Sequence, residues 1–344
     1  MPRLRVALIG LGMAVGPHAK SLLDLEDKAE VAWAVSPSEG RRAAFAKTFP
    51  FPTTGDVDRV LADKSVDAVF VLTPPNTHLD VVKRAAAHGK HVLLEKPLEI
   101  TTARARALVA ACAAAKVRLG TVFQHRFRPA AVLVKRAVAA GALGRLAHCS
   151  VAVPWWRPQI GYYDQPGRGT LRRDGGGVLM TQAIHTLDLL LHLAGPVTEV
   201  CALAGTSHVH RMETEDQVVA TLRFAGGAMG SLDCTTAAYP GYPETILLAG
   251  DGGSARIQGT GAVVEYAGPP PRRETAGGAL GGGGGADPMA FPHDWHRDLI
   301  ADFLDAVAAD REPAISGGEA LRVHCLIDAL LASARERRAV RPEG

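Results

Sequence analysis

Leu4-Arg-Val-Ala-Leu-Ile9-Gly10-Leu-Gly12-Met13-Ala14-Val15-Gly16 is the stretch that decides the fold. A short β-rich run enters two glycines, and a helical pattern over Pro17–Leu25 follows. In that setting Gly-x-Gly has a physical meaning. Gly10 permits the tight turn, and Gly12 lets the backbone approach a pyrophosphate placed at the helix N-terminus. The pattern is imperfect, because the third position is Val15 and Gly16 comes one residue late. Alone it is a weak sign, since any strand-to-helix turn can use glycine.

The surrounding residues strengthen it. Leu4–Ile9, Val31–Val35, Ala68–Leu72, His91–Leu94 and Arg118–Val122 read as strands. Between and after them, Pro17–Leu25, Gly40–Phe49, Asp56–Ala62, Leu79–His88 and Thr102–Ala115 read as helices. Such alternation predicts an α/β Rossmann domain, a doubly wound parallel sheet, over residues 1–122. The texture then changes. Helices are expected at Ala130–Ala140, Val178–Leu193, Asp294–Ala308 and Gly318–Glu336, and glycine-punctuated strands between Val197 and Ala267. Residues 123–344 therefore read as an α+β substrate and oligomerisation domain with an open, mainly antiparallel sheet. Gly277–Gly285 reads as a flexible loop.

Composition narrows the function. The 344 residues suit about two domains, and 47% apolar with 21% charged residues is ordinary for a chain with a real core. A net charge of +3 is too small to argue for nucleic acid or an anionic membrane. No apolar run approaches the ~18 residues of a membrane helix. Arg3 and Arg5 before Val6–Val15 imitate a signal peptide, but glycines interrupt the run and no cleavage site clearly follows. Five cysteines without a CxxC pair fit a reducing compartment, so a cytoplasmic protein is expected.

Gly10, Gly12, Met13 and Ala14 are the expected pyrophosphate loop. After the second strand, Ser36, Ser38 and Arg41 stand where a ribose is gripped; small hydroxyls beside arginines suit a 2′-phosphate and tilt the choice toward NADP, although Glu39 could serve NAD. Thr73, Pro74, Asn76 and His78 end one strand, and Glu95-Lys96-Pro97 ends another, at the edge where open α/β sheets bind ligands. A lysine there is fit for proton transfer or for holding a reacting oxygen; an exposed ion pair at a strand end is the plainer reading. Gly175–Gly177 precede a helix on which Thr181, His185 and Asp188 share a face by i,i+4 and i,i+3 spacing. His293 and His296 lack a ligand partner pattern, and no metal is expected. Trp155-Trp156-Arg157 and Tyr162-Tyr163 fit either ring stacking or plain packing.

Together these segments resemble the glucose–fructose oxidoreductase / inositol dehydrogenase / MocA (Gfo/Idh/MocA) oxidoreductases. The likeness rests on Gly10-x-Gly12 with His18, Thr73-Pro74-Pro75 with His78, Gly89–Val92 with Glu95-Lys96-Pro97, Phe123–Phe127, Gly141–Gly144, Gly175–Asp188 and Glu215–Gly230. The resemblance implies hydride transfer between a secondary alcohol of a sugar, cyclitol or nucleotide sugar and an NAD(P) nicotinamide. It implies Lys96 and His185 as catalytic residues, with Glu95 and Gln124 near the cofactor. Arg126, Tyr163, Arg168 and Thr181 are the further candidates for touching substrate, and a homodimer or homotetramer is implied. One departure stands out. Thr181 occupies the place of an aspartate frequent four residues before the histidine, which leaves the division of labour between Lys96 and His185 open. It also supplies the rival reading, a non-catalytic NAD(P)-binding sensor.

Overall fold

The computed structural model describes residues 3–278 and 292–343; beyond Gly278, the glycine-rich loop lies outside the described residues. The chain forms two compact units.

Strands β1 (Leu4–Ile9), β2 (Ala29–Val35), β3 (Thr53–Thr54), β4 (Ala68–Val71), β5 (His91–Leu94) and β6 (Leu119–Thr121) form a sheet ordered β3-β2-β1-β4-β5-β6. Every pairing is parallel. Helices α1 (Val15–Asp24), α2 (Glu39–Ala46), α3 (Val57–Ala62), α4 (His78–Ala87) and α5 (Thr102–Ala114) alternate with them. Strands covered on both faces must be apolar on both, and all four residues of β4 are fully buried. Ser38, Asp56 and Thr101 start α2, α3 and α5 by accepting the backbone N–H three residues on.

The second unit begins at His125. It holds α6 (Pro129–Ala139), β7 (Leu146–Pro154), the short α7 (Leu171–Asp174) and α8 (Ile184–Ala194). Seven more strands follow: β8 (Val197–Gly205), β9 (Gln217–Phe224), β10 (Met229–Thr235), β11 (Thr245–Gly250), β12 (Gly253–Gln258), β13 (Gly261–Tyr266) and β14 (Arg272–Ala276). The eight-stranded sheet runs β14-β13-β12-β11-β7-β10-β9-β8 and is antiparallel except where β7 meets β10. Helix α6 packs on β12–β14, and α8 packs on β7 and β11. Leu171–Ala194 is long and apolar enough to cross a membrane by composition, but 78% of its most apolar window is buried, as in a core helix.

The chain then returns. Helices α9 (Asp294–Ala308) and α10 (Gly317–Glu336) close it, and Pro292–Leu321 belongs to the first unit. A second domain running unbroken from 123 to 344 is therefore corrected. The cause is aromatic packing: Phe303 of α9 lies edge-on to Phe70 of β4, and His296 lies edge-on to His18 of α1.

Candidate active site

Gly10 sits at φ +110°, and a Cβ there would lie 2.7 Å from the Leu72 backbone, so only glycine closes this turn. At Gly12 a Cβ would point into open space. No side chain caps α1, whose N-cap is Ala14; the Val15 N–H bonds the Gly12 carbonyl and Pro17 has none, which leaves the Gly16 N–H of the first turn for an anion. Met13 is 65% exposed on the same turn. At the end of β6, Gln124 Oε1 is buried without a hydrogen-bond partner, an arrangement that costs free energy unless a ligand donor meets it. These three features fit a dinucleotide.

At the end of β2, Ser36 is buried and Ser38 caps α2. Arg42 turns back to donate to the Ser36 and Pro37 carbonyls, which leaves Arg41 as the exposed cation. On the next edge His78 departs from expectation. It is fully buried, with Nε2 2.8 Å from the Thr73 carbonyl and Nδ1 3.0 Å from that of Pro97. Burial depresses its pKa. His78 is therefore a clamp joining the two strand-end loops rather than a cofactor contact; Thr73, Pro74 and Asn76 remain partly or fully exposed at the rim.

Glu95 also points inward. His18 Nε2 donates to its Oε1 at 2.8 Å, and its Oε2 accepts the Lys96 backbone N–H at 3.1 Å. Burial alone would raise this carboxyl, but the His18 hydrogen bond, with His18, His296 and Lys96 nearby, holds it below its ordinary value. The ligand atoms of His18, Glu95 and His296 lie within 4.8 Å of one another, so His296, set aside in the sequence, belongs to the packing behind Lys96. His293 instead pairs with Asp24. A cis peptide joins Lys96 to Pro97.

In the second unit, a π turn over Leu179–Ala183 precedes α8, so ideal i,i+4 spacing does not carry from Thr181 to His185. Thr181 Oγ1 donates to the Gly177 carbonyl at 2.8 Å; having given its one proton, it can only accept from any other group. The glycines before this helix are no open cradle for a ligand. The Glu215 carboxylate accepts from the Gly177 and Leu179 N–H groups, and a Cβ at Gly177 would strike the Glu215 backbone. Burial raises the Glu215 pKa against those hydrogen bonds.

Arg126 is held by a partner of its own chain. Its Nε and terminal nitrogen bond Asp188 at 2.8 and 2.6 Å in a buried, two-point ion pair. Tyr163, expected at the substrate, is buried with its hydroxyl on Thr236, and burial raises its pKa. Its neighbour Tyr162, read in the sequence as fit for stacking or packing, takes a hydrogen bond from Gln182 at 2.6 Å and lies under Arg168, 4.8 Å from the ring centroid. Arg168 Nε is buried and unpartnered. His185 is 8% exposed and stacks on His125 at a centroid distance of 4.6 Å.

Residues 4–123 match the family described as "Oxidoreductase family, NAD-binding Rossmann fold", and residues 132–256 match "GFO/IDH/MocA C-terminal domain". The inositol 2-dehydrogenase of Rhizobium meliloti (strain 1021) is 26% identical, with 98% of each chain covered. The scyllo-inositol 2-dehydrogenase (NAD(+)) of Bacillus subtilis (strain 168) is 26% identical over 73% of each chain. Among solved structures, the WlbA dehydrogenase from Bordetella pertussis, in complex with NADH and UDP-GlcNAcA, is 29% identical with a TM-score of 0.85 over all of both chains. On this fold and these matches, the chain is an NAD-binding oxidoreductase of the GFO/IDH/MocA family.

Proposed function

We propose that the protein oxidises a secondary alcohol of a sugar, cyclitol or nucleotide sugar, with NAD(P) as acceptor. The observation that carries this reading is Lys96 at the carboxyl end of β5, on the same sheet edge as the uncapped Gly10–Gly12 turn. When bound, the nicotinamide supplies a hydride acceptor at C4. Lys96 holds the carbinol oxygen and stabilises the charge that develops there. The hydroxyl proton passes to His185 or to Lys96 as the C–H bond gives up its hydride, so a ketone, a reduced cofactor and one proton result. Gln124 meets the cofactor with its buried acceptor, and Arg168 with Tyr162 grips substrate hydroxyls or a phosphate. Inositol and UDP-GlcNAcA, named for the relatives above, head the list of trial substrates. The test offers NAD and NADP with a panel of cyclitols, sugars and nucleotide sugars, and follows the absorbance of the reduced nicotinamide. Turnover on at least one compound is expected. Cofactor binding without turnover on any would favour the sensor reading instead.

The tilt toward NADP rests on Arg41, the exposed guanidinium beside the Ser38 cap. Arg41→Ala is expected to weaken NADPH binding about fivefold and leave NADH within error, as for one exposed charge-assisted contact. Equal losses for both cofactors in fluorescence titration remove the 2′-phosphate contact.

Self-association is proposed through the large sheet. Leu203 of β8 pairs in register with Val219 of β9, and both side chains are more than half exposed, as is Met229 on β10. The Leu203–Val219 pair, exposed on an outward sheet face, suits a second copy of the same face. Light scattering is expected to give a dimer or tetramer of the 36.2 kDa chain, and Leu203→Glu with Val219→Glu to give monomer. A wild-type monomer at micromolar concentration sinks the proposal. A cytoplasmic location is proposed on the five free cysteines, four of them buried.

A further inference from the structure

His125 stacks on His185, tilted 25° from parallel, and the two rings are 6% and 8% exposed. Its own orientation is fixed from behind. An Arg128 terminal nitrogen bonds His125 Nε2, while the other terminal nitrogen donates to Glu244 Oε1 at 2.7 Å and to the Gly259 carbonyl at 3.2 Å. Arginine has donors only, so His125 Nε2 must accept, and the proton of the neutral ring sits on Nδ1. A second proton on this ring would face a guanidinium directly. The chain Glu244–Arg128–His125 thus ends in a neutral imidazole of set tautomer, pressed flat on His185. Arg128 is itself buried, with Glu244 as its counter-charge, and cannot swing away cheaply.

We propose that His125 is the positioning residue for His185, setting the plane of its ring in the place where relatives of the family would use a carboxylate at position 181. This rests on the acid/base role proposed for His185. Thr181 has its one proton on Gly177, so it cannot donate to an imidazole, and as a neutral acceptor it cannot hold an imidazolium as a carboxylate does. Stacking restrains a ring through area and dispersion instead, without using a ring nitrogen. The anchors are far apart in sequence: Gln124–Phe127 is a 3-10 turn, Glu244 precedes β11, and Gly259 links β12 to β13. The sheet therefore holds the ring, rather than the helix that carries His185.

The test compares His125→Phe, which keeps a flat ring, with His125→Leu, which keeps bulk but not flatness, on whichever panel compound turns over. The Phe variant is expected within about threefold of wild-type kcat, and the Leu variant about 10- to 100-fold below it with KM nearly unchanged, the scale of a misplaced catalytic group. In a His185→Asn background the Phe and Leu variants should be equal. If Phe and Leu behave alike in the wild-type background, or the Leu loss persists undiminished in the His185→Asn background, the positioning role is overturned while the role of His185 stands. If His185→Asn alone keeps full kcat, the acid/base reading falls and this inference with it. A readout independent of turnover is the ¹⁵N spectrum of histidine-labelled protein, with the His125 signals assigned by their loss in His125→Phe. An Nδ1–H tautomer at neutral pH is expected, and an Nε2–H ring overturns the proposal.

Discussion

On the role proposed for Lys96, replacing it with methionine is expected to lower kcat by about 10³-fold, through loss of both a hydrogen-bond donor to the reacting oxygen and a route for its proton. Methionine keeps most of the apolar stem, so the loop between β5 and α5 should hold its shape. The His78 clamp on the Thr73 and Pro97 carbonyls and the Glu95–His18 hydrogen bond do not involve the Lys96 side chain. NADH affinity, read by fluorescence, should therefore stay within about threefold, the size of a weak exposed electrostatic term. A Lys96→Met enzyme with wild-type kcat would remove the lysine from the reaction. The paired variant Lys96→Met with His185→Asn asks a second question. Two residues serving one step lose less together than the product of their separate losses. Fully multiplicative losses would mean that they act on different steps.

The second large effect concerns stability. Asp188→Ala is expected to cost about 3–5 kcal/mol, because it strips a buried guanidinium of its carboxylate. Burial pushes the Asp188 pKa up while Arg126 pulls it down, so the carboxyl depends on this partner for its charge. For a unit of this size the loss corresponds to roughly 10 °C in the melting temperature. Asp188→Leu combined with Arg126→Met should recover much of it, since a packed apolar pair avoids desolvating two ions. Unfolding of Asp188→Ala within about 1 kcal/mol of wild type would show that the pair contributes little. Because Asp188 lies one turn after His185 on α8, this experiment also calibrates activity losses there: a fall in kcat that tracks the melting temperature is structural.

The first sheet could be read from the chain because its physics is local and repetitive. Buried parallel strands are short apolar runs, and three of the helices announce themselves with a capping side chain, Ser38, Asp56 or Thr101. Helices α6, α9 and α10 were likewise placed to within a residue or two by their periodicity. Strand β7 was not, since Leu146–Pro154 carries His148, Cys149 and Ser150 and finds its parallel partner β10 some 80 residues later. The functional residues failed in the same way. Arg126 and Asp188 are 62 positions apart, and Gly177 and Glu215 are 38 apart, so nothing in either segment reveals that the charge or the space is already taken. Spacing rules also misled at Thr181, because they presume a regular helix and the chain makes a π turn there. His125 stood inside the quoted Phe123–Phe127 segment, but only its ring plane, not its place in line, gives it significance.

The late return of the chain has a consequence for biosynthesis. The outer strand β6 is bridged at Gly120 to Ser316, and the Thr121 N–H bonds the Ile315 carbonyl, almost 200 residues downstream. While the nascent polypeptide is still being extended, that edge has no cover, and Phe70 awaits Phe303. An uncovered strand edge is a template for unwanted pairing. The first unit can therefore be completed only once Pro292–Leu321 has been made, after His125–Phe291 of the second unit has already emerged. A chain cut short before Pro292 would keep the glycine turn and every strand of the first sheet, yet leave the growing molecule open to aggregation along one side.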